Sequence, residues 1–177
     1  MNTDALITAV QAYFAGERHE GFAILGFLVA LVLVAGSLHA VGRDGFSRGF
    51  GIVALLLAIL MSPMVVSLMR RDARHQATLV VGLRGEDARA VVTAEVGRMA
   101  EVIRKYPYYR VGALGLGALA LVAAALSRRA WVNGTAAGVL LIVVAQFMID
   151  HYSEARAVRY AGELKAAVSA VVHGSMP

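Results

Sequence analysis

The stretch GFAILGFLVALVLVAGSLHAV, Gly21 to Val41, runs without a single Asp, Glu, Lys or Arg. A helix that crosses a hydrocarbon core roughly 30 Å thick needs about 20 predominantly apolar residues, and this block meets that length. Three more blocks do so: Phe50 to Met69, Tyr109 to Ser127 and Trp131 to Ile149. None of them alternates like a barrel strand. Lipid offers no partner to an unpaired backbone N–H or C=O, so all four blocks must be helices. The expected fold is all-α, a polytopic membrane protein whose four transmembrane helices form two hairpins with amphipathic helices capping one side.

Outward from the first block, the links fix the connectivity. GRDGFSRG joins blocks one and two, and Ser127-Arg128-Arg129-Ala130 joins three and four. Links that short hold neighbouring helices antiparallel. The expected organisation is an amphipathic helix over residues 1–20, a first hairpin over 21–69, an extramembrane helical segment over 70–108, a second hairpin over 109–149 and an amphipathic helix over 150–177. In the middle segment Val91, Val92, Val96, Met99, Val102 and Ile103 recur at helical spacing, with Arg89, Glu95, Arg98, Glu101 and Lys105 on the other side. Glu86 and Asp87 suit its first turn, and Pro107 is expected to stop it. Leu6, Ile7, Val10, Tyr13 and Phe14 give the N-terminal helix its apolar face; Ala157, Ala161, Leu164, Val168 and Val171 do so for the C-terminal one.

Composition agrees. The 177 residues are 59% hydrophobic and only 16% charged, with a mean hydropathy of +0.67; soluble domains are about half apolar and a quarter charged. The net charge of +5 does not point to nucleic acid, because the Lys and Arg residues gather at the ends of apolar blocks, where lipid headgroups lie. Asp4, Glu17 and Glu20 outnumber Arg18 in the first twenty residues, the reverse of a secretory signal, so the first block is expected to stay as a span. Of the seventeen Lys and Arg, all but Arg43, Arg48, Arg128 and Arg129 lie on the side of the termini. By that count the positive-inside rule places the termini in the cytoplasm, and a multi-pass protein of the bacterial inner membrane is expected. The crowded arginines of the two short loops and the acidic flank before the first span pull the other way.

A weak internal repeat underlies the two-hairpin reading. Setting Phe46 opposite Trp131 pairs Gly49 with Gly134, Leu55-Leu56 with Leu140-Leu141, Arg71 with Arg156, Arg74 with Arg159 and Leu79 with Leu164.

Reactive chemistry finds little footing. No cysteine is present, which removes disulfides, thiolate metal ligands and thiol nucleophiles. Asp150, His151 and Glu154 form a D-H-x-x-E, yet no second cluster is spaced to complete a metal shell. There is no G-x-S-x-G elbow and no phosphate loop; Gly112, Gly115 and Gly117 lie inside an apolar helix. No catalytic residue, cofactor or metal is therefore expected. Gly134 and Gly138 form a G-x-x-x-G, which lets helix backbones approach closely, either within the chain or in a homo-oligomer. Ser62 and Gln146 are the polar groups nearest mid-membrane, and a channel or small-transporter subunit would have to use them.

Two segments, AEVGRMAEVIRKYPYYR and IDHYSEARAVRYAGEL, together with the GFSRG loop, resemble a family of small four-helix bacterial inner-membrane proteins with no established activity. The matching positions are Glu95, Arg98, Met99 and Val102, then Asp150, Glu154, Arg156, Tyr160 and Leu164. The resemblance implies the four-helix architecture. Glu95, Arg98, Asp150, Glu154, Arg156, Arg159 and Tyr160 are expected to form a polar network between the middle helix and the tail, or a partner-binding surface. Elimination leaves a non-enzymatic membrane binding protein, most concretely an immunity protein against a toxin or secreted effector. The alternatives are a channel subunit or an accessory subunit of a membrane complex. Expected partners are the lipid bilayer, a protein and a second copy of the chain.

Overall fold

In the computed structural model, the backbone of residues 3–174 and the side chains of residues 3–169 are described; the outermost residues of the two expected terminal helices lie outside that range. Within it there are four helices and no strand: α1 Thr3–Gly42, α2 Gly45–Leu83, α3 Ala88–Leu126 and α4 Ala130–Gly174. All four are long and apolar enough to cross a membrane. At 1.5 Å per residue, 40 residues of α1 rise roughly 60 Å, about twice a hydrocarbon core, so each helix crosses and continues beyond it.

The helix boundaries do not coincide with the bounds of the expected segments. Nothing between Met69 and Leu83 breaks α2, and within residues 70–108 the interruption comes at Arg84-Gly85-Glu86-Asp87. Likewise the terminal helices over 1–20 and 150–177 are continuous with their spans. Pro107 lies inside α3 and does not end it. Proline forfeits one backbone hydrogen bond, to the carbonyl four residues back, but the preceding turn carries buried Tyr106 and the following one enters an apolar block that has no alternative to helix.

The tight links are capped locally. Arg43, with φ of 46°, takes the left-handed conformation after α1, and its N–H donates to the His39 carbonyl at 3.2 Å. Asp44 then caps α2, its carboxylate accepting the Ser47 N–H at 2.8 Å; that backbone bond holds the Asp44 carboxyl below the usual range. At α4 the Arg129 carbonyl accepts the N–H groups of Val132 and Asn133.

The second helix of each hairpin starts in register with the repeat: α2 begins at residue 45 and α4 at 130, an offset of 85. Thr8 and Thr93 share that offset, and each hydroxyl donates to the carbonyl four residues earlier at 2.9 Å.

Chain contacts divide the molecule into two compact units. One comprises Glu20–Ser67 and Tyr108–Asp150, the other Met1–His19, Leu68–Pro107 and His151–Pro177. The first contains nearly all of the apolar blocks, and large side chains such as Leu33, Ile59, Leu60 and Leu119 stand exposed on it, as hydrocarbon solvent requires. Inside it α2 and α4 cross at glycines. A Cβ on Gly49 would strike the carbonyl oxygen of Trp131, and one on Gly134 the carbonyl oxygen of Phe46. Trp131 is Phe46 moved by the offset, and Gly134 is Gly49 moved by it. That is the reciprocal contact a two-fold relation between hairpins produces. Gly138 continues the seam against Val53, so this small-residue face is spent within the chain.

Candidate functional site

The second unit contains a buried carboxylate served by all four helices. Its apolar frame comprises Leu6, Ile7, Val10, Tyr13 and Phe14 of α1, Leu79 and Leu83 of α2, Val92 and Met99 of α3, and Ala157, Tyr160 and Leu164 of α4. These are the apolar faces read at helical spacing, turned inward together. Among them Glu95 of α3 is only 3% exposed. A buried carboxylate is tolerated only when it is fully hydrogen-bonded, and Glu95 has four bonds.

Arg98, one turn along α3, donates Nη2–H to Glu95 Oε1 at 2.6 Å and Nε–H to Oε2 at 2.8 Å. This bidentate fork is the strongest geometry open to a carboxylate. His75 of α2 donates Nε2–H to Oε2 at 3.0 Å, and the Tyr160 hydroxyl of α4 donates to Oε1 at 3.3 Å. Helix α1 contributes aromatic walls. Tyr13 stacks on Tyr160 with centroids 4.4 Å apart, while Phe14 meets the His75 ring edge-on at 5.8 Å and lies 6.0 Å from the Arg98 guanidinium carbon.

The electrostatics follow from these neighbours. Burial alone would raise Glu95, but the hydrogen bonds of Arg98 and His75 outweigh it and hold the carboxyl below its usual range. Burial would likewise lower Arg98, and Glu95 reverses that, keeping the guanidinium charged. Tyr160 and Tyr13 are both pushed well above the ordinary phenol value, chiefly by burial. The group is thus an ionised Glu95–Arg98 pair with a neutral phenol, its bonding capacity directed inward.

Of the residues expected to form a polar network, the structure brings together Glu95, Arg98 and Tyr160. Arg156 is engaged elsewhere: its stem lies over Gly16, and its Nη2–H and Nε–H donate to Glu17 Oε1 at 2.7 and 3.1 Å. Glu154 is half-buried and Arg159 exposed on the same helix. Asp150 falls in the other unit, where the Gln146 Nε2–H donates to its Oδ1 at 2.7 Å. Gln146 is therefore tied to a carboxylate one turn away. Among the described residues no three His, Asp or Glu side chains converge as a metal site would require.

His75, Tyr13, Phe14 and Glu17 are the participants that the sequence reading did not place in the network. One signal was available for His75. It stands at the repeat offset from Tyr160, and these equivalent side chains bind the two oxygens of one carboxylate. No family model, curated protein or solved structure matches the chain.

Proposed function

We propose that this is a non-enzymatic integral membrane binding protein of the bacterial inner membrane, with cytoplasmic termini, that engages a protein partner through the surface of the unit built around Glu95. Its most concrete form is an immunity protein that neutralises a toxin or secreted effector at that membrane. One observation carries the reading: the buried ionisable groups of this unit are consumed in holding four helices together, whereas Arg89, Glu101, Arg104, Lys105 and Arg159 stand exposed on its outside. A rigid helical body with a varied charged exterior suits recognition of another protein, since charges at a rim steer and select partners without supporting the fold.

The test is affinity purification in mild detergent followed by mass spectrometry, on the natural chain and on Arg89→Glu, Glu101→Lys and Arg159→Glu. Partner recovery is expected to fall roughly tenfold in at least one reversal, equivalent to about 1.4 kcal/mol, with insertion and helicity unchanged. Full recovery in all three, combined with an ion flux in proteoliposomes that Gln146→Leu abolishes, would replace this reading with a channel subunit.

A further inference from the structure

The two hairpins present the same helix pair in the same register, yet only the first closes its outer cleft. In hairpin one Phe50 is buried with Leu31, Ala35 and Ala54, and Phe27 and Leu57 pack around them. At the repeat offset from Phe50 stands Thr135, a far smaller side chain whose hydroxyl is turned back onto the Trp131 carbonyl at 2.9 Å. The consequence shows at the neighbouring position: Leu31 is 2% exposed and its counterpart Leu116 is 47% exposed. What is left is an open apolar cleft of about 240 Å³ along α3 and α4, lined by Leu116, Leu119, Ala120, Trp131, Thr135 and Val139 among others.

Two charges lie beside it in the chain. Arg128 and Arg129 directly precede the turn that holds Trp131, both are exposed, and among the described residues neither is held in an ion pair. The start of α2 approaches the same point, since a Cβ on Gly45 would lie 3.2 Å from the Trp131 nitrogen, and there Arg43 and Arg48 outnumber the Asp44 carboxylate, so the loop adds one net positive charge. An apolar slot on a hydrocarbon-facing surface, headed by unpaired arginines, is complementary to an amphiphile with a negative head. A second copy of this chain fits poorly, because it would bring its own arginine-rich loops against these.

We propose that this cleft binds an anionic phospholipid, one acyl chain lying in the space that Phe50 fills in hairpin one and the phosphate resting on Arg128 and Arg129.

Trp131 is the single tryptophan of the chain and forms part of the cleft wall, which supplies the readout. The full chain is reconstituted in phosphatidylcholine vesicles carrying a small fraction of brominated phosphatidylglycerol or, separately, brominated phosphatidylcholine, and Trp131 quenching is compared. Two arginines at the headgroup level favour the anionic lipid by roughly tenfold or more, so phosphatidylglycerol should quench at far lower mole fraction and be displaced saturably by its unbrominated form. Arg128→Gln with Arg129→Gln should lower the headgroup preference by roughly tenfold or more while retaining quenching by either lipid. Thr135→Phe, which installs the plug of hairpin one, should abolish the saturable component; Val139→Phe narrows the same cleft if the first variant fails to insert. Equal quenching by the two lipids in the natural chain, or an anionic preference that survives both phenylalanine variants, overturns the proposal. So does a tryptophan shielded from both lipids, which would mean that a protein segment occupies the cleft.

Discussion

At equivalent positions of the repeat, α1 presents Val10, Tyr13 and Phe14 while α3 presents Glu95, Arg98 and Met99, and both sets are turned into one core. The backbone register is shared, but the chemistry belongs to one copy. The difference has a physical reason. An acid at both positions would bring two carboxylates into a single buried region, where like charges raise each other's pKa and one must be neutralised. A two-fold frame can therefore hold the acid in one half only, with an apolar residue in the other, and Val10 is 0% exposed. The ligands are under no such limit, which is why His75 and Tyr160, equivalent side chains from α2 and α4, both serve the one carboxylate.

The largest effect should come from breaking that centre. Glu95→Ala leaves Arg98, His75 and Tyr160 without their common acceptor. Breaking a buried pair costs about 3 to 5 kcal/mol, and the low end applies because a third of the Arg98 side chain still reaches solvent. Val10→Ala, at the equivalent place, removes only two methyl groups and should cost about 2 kcal/mol through a small cavity. Thermal unfolding in mild detergent measures both. A Glu95→Ala variant more stable than Val10→Ala would mean that apolar packing, not the ion pair, governs this core.

Next in size is the glycine seam, where the comparison predicts equality. Gly49→Ala and Gly134→Ala each drive a Cβ into the other helix's backbone carbonyl, so each should cost about 1 to 3 kcal/mol, as overpacking does. Gly26→Ala and Gly112→Ala meet nothing within 4 Å and should be neutral or slightly stabilising, since alanine favours helix by up to about 1 kcal/mol. Strongly unequal losses at Gly49 and Gly134, measured by the same unfolding assay, would break the two-fold description.

These contrasts show which features the sequence made legible. Four spans, their boundaries in hydropathy and the inward faces of Val10, Val92, Met99 and Leu164 followed from block length and helical spacing, because lipid and core both act on side-chain character position by position. The unit boundaries, at 19/20, 67/68, 107/108 and 150/151, fall within two residues of those changes in hydropathy. Helix continuity was less legible. Pro107 reads locally as a stop, but a helix obliged to enter lipid absorbs one lost hydrogen bond. Of the site, Glu95, Arg98 and Tyr160 meet across α3 and α4, but Glu95, read on the polar side of the middle helix, is buried on the same face as Val92 and Met99. The partners of Arg156 and Asp150 were not visible, because they depend on which residue of another turn stands opposite, a matter of helix rotation that composition does not encode.

A smaller effect is set by pH. Glu95 has its folded pKa held below the unfolded value of about 4.3, so the stability it contributes is complete above about pH 5 and is lost as pH falls through that value and on through the lower folded one. Acid titration of unfolding should show this loss in the natural chain. In Glu95→Gln, which cannot ionise, it should flatten; a profile unchanged by that substitution would assign the acid sensitivity to other carboxylates.

The smallest expected effect lies at the edge of the same unit, where the repeat offers a constructive test. Arg156 of α4 bridges to Glu17 of α1, with both side chains between a fifth and a quarter exposed. At the same offset Arg71 of α2 would look toward position 102 of α3, but Val102 stands there, and Arg71 instead pairs with its neighbour Asp72, with 71% of its side chain exposed. Glu17→Ala should therefore cost no more than about 1 kcal/mol and less in high salt, as partly solvated bridges do. Val102→Glu should build the missing twin and couple to Arg71 by a few tenths of a kcal/mol, a gain reduced by the solvation of Arg71 and by the loss of apolar Val102. A double-mutant cycle with Arg71→Ala isolates that coupling from the packing change. Zero coupling would show that the register shared by the hairpin cores stops short of their surfaces, so that the Glu17–Arg156 bridge belongs to one hairpin alone.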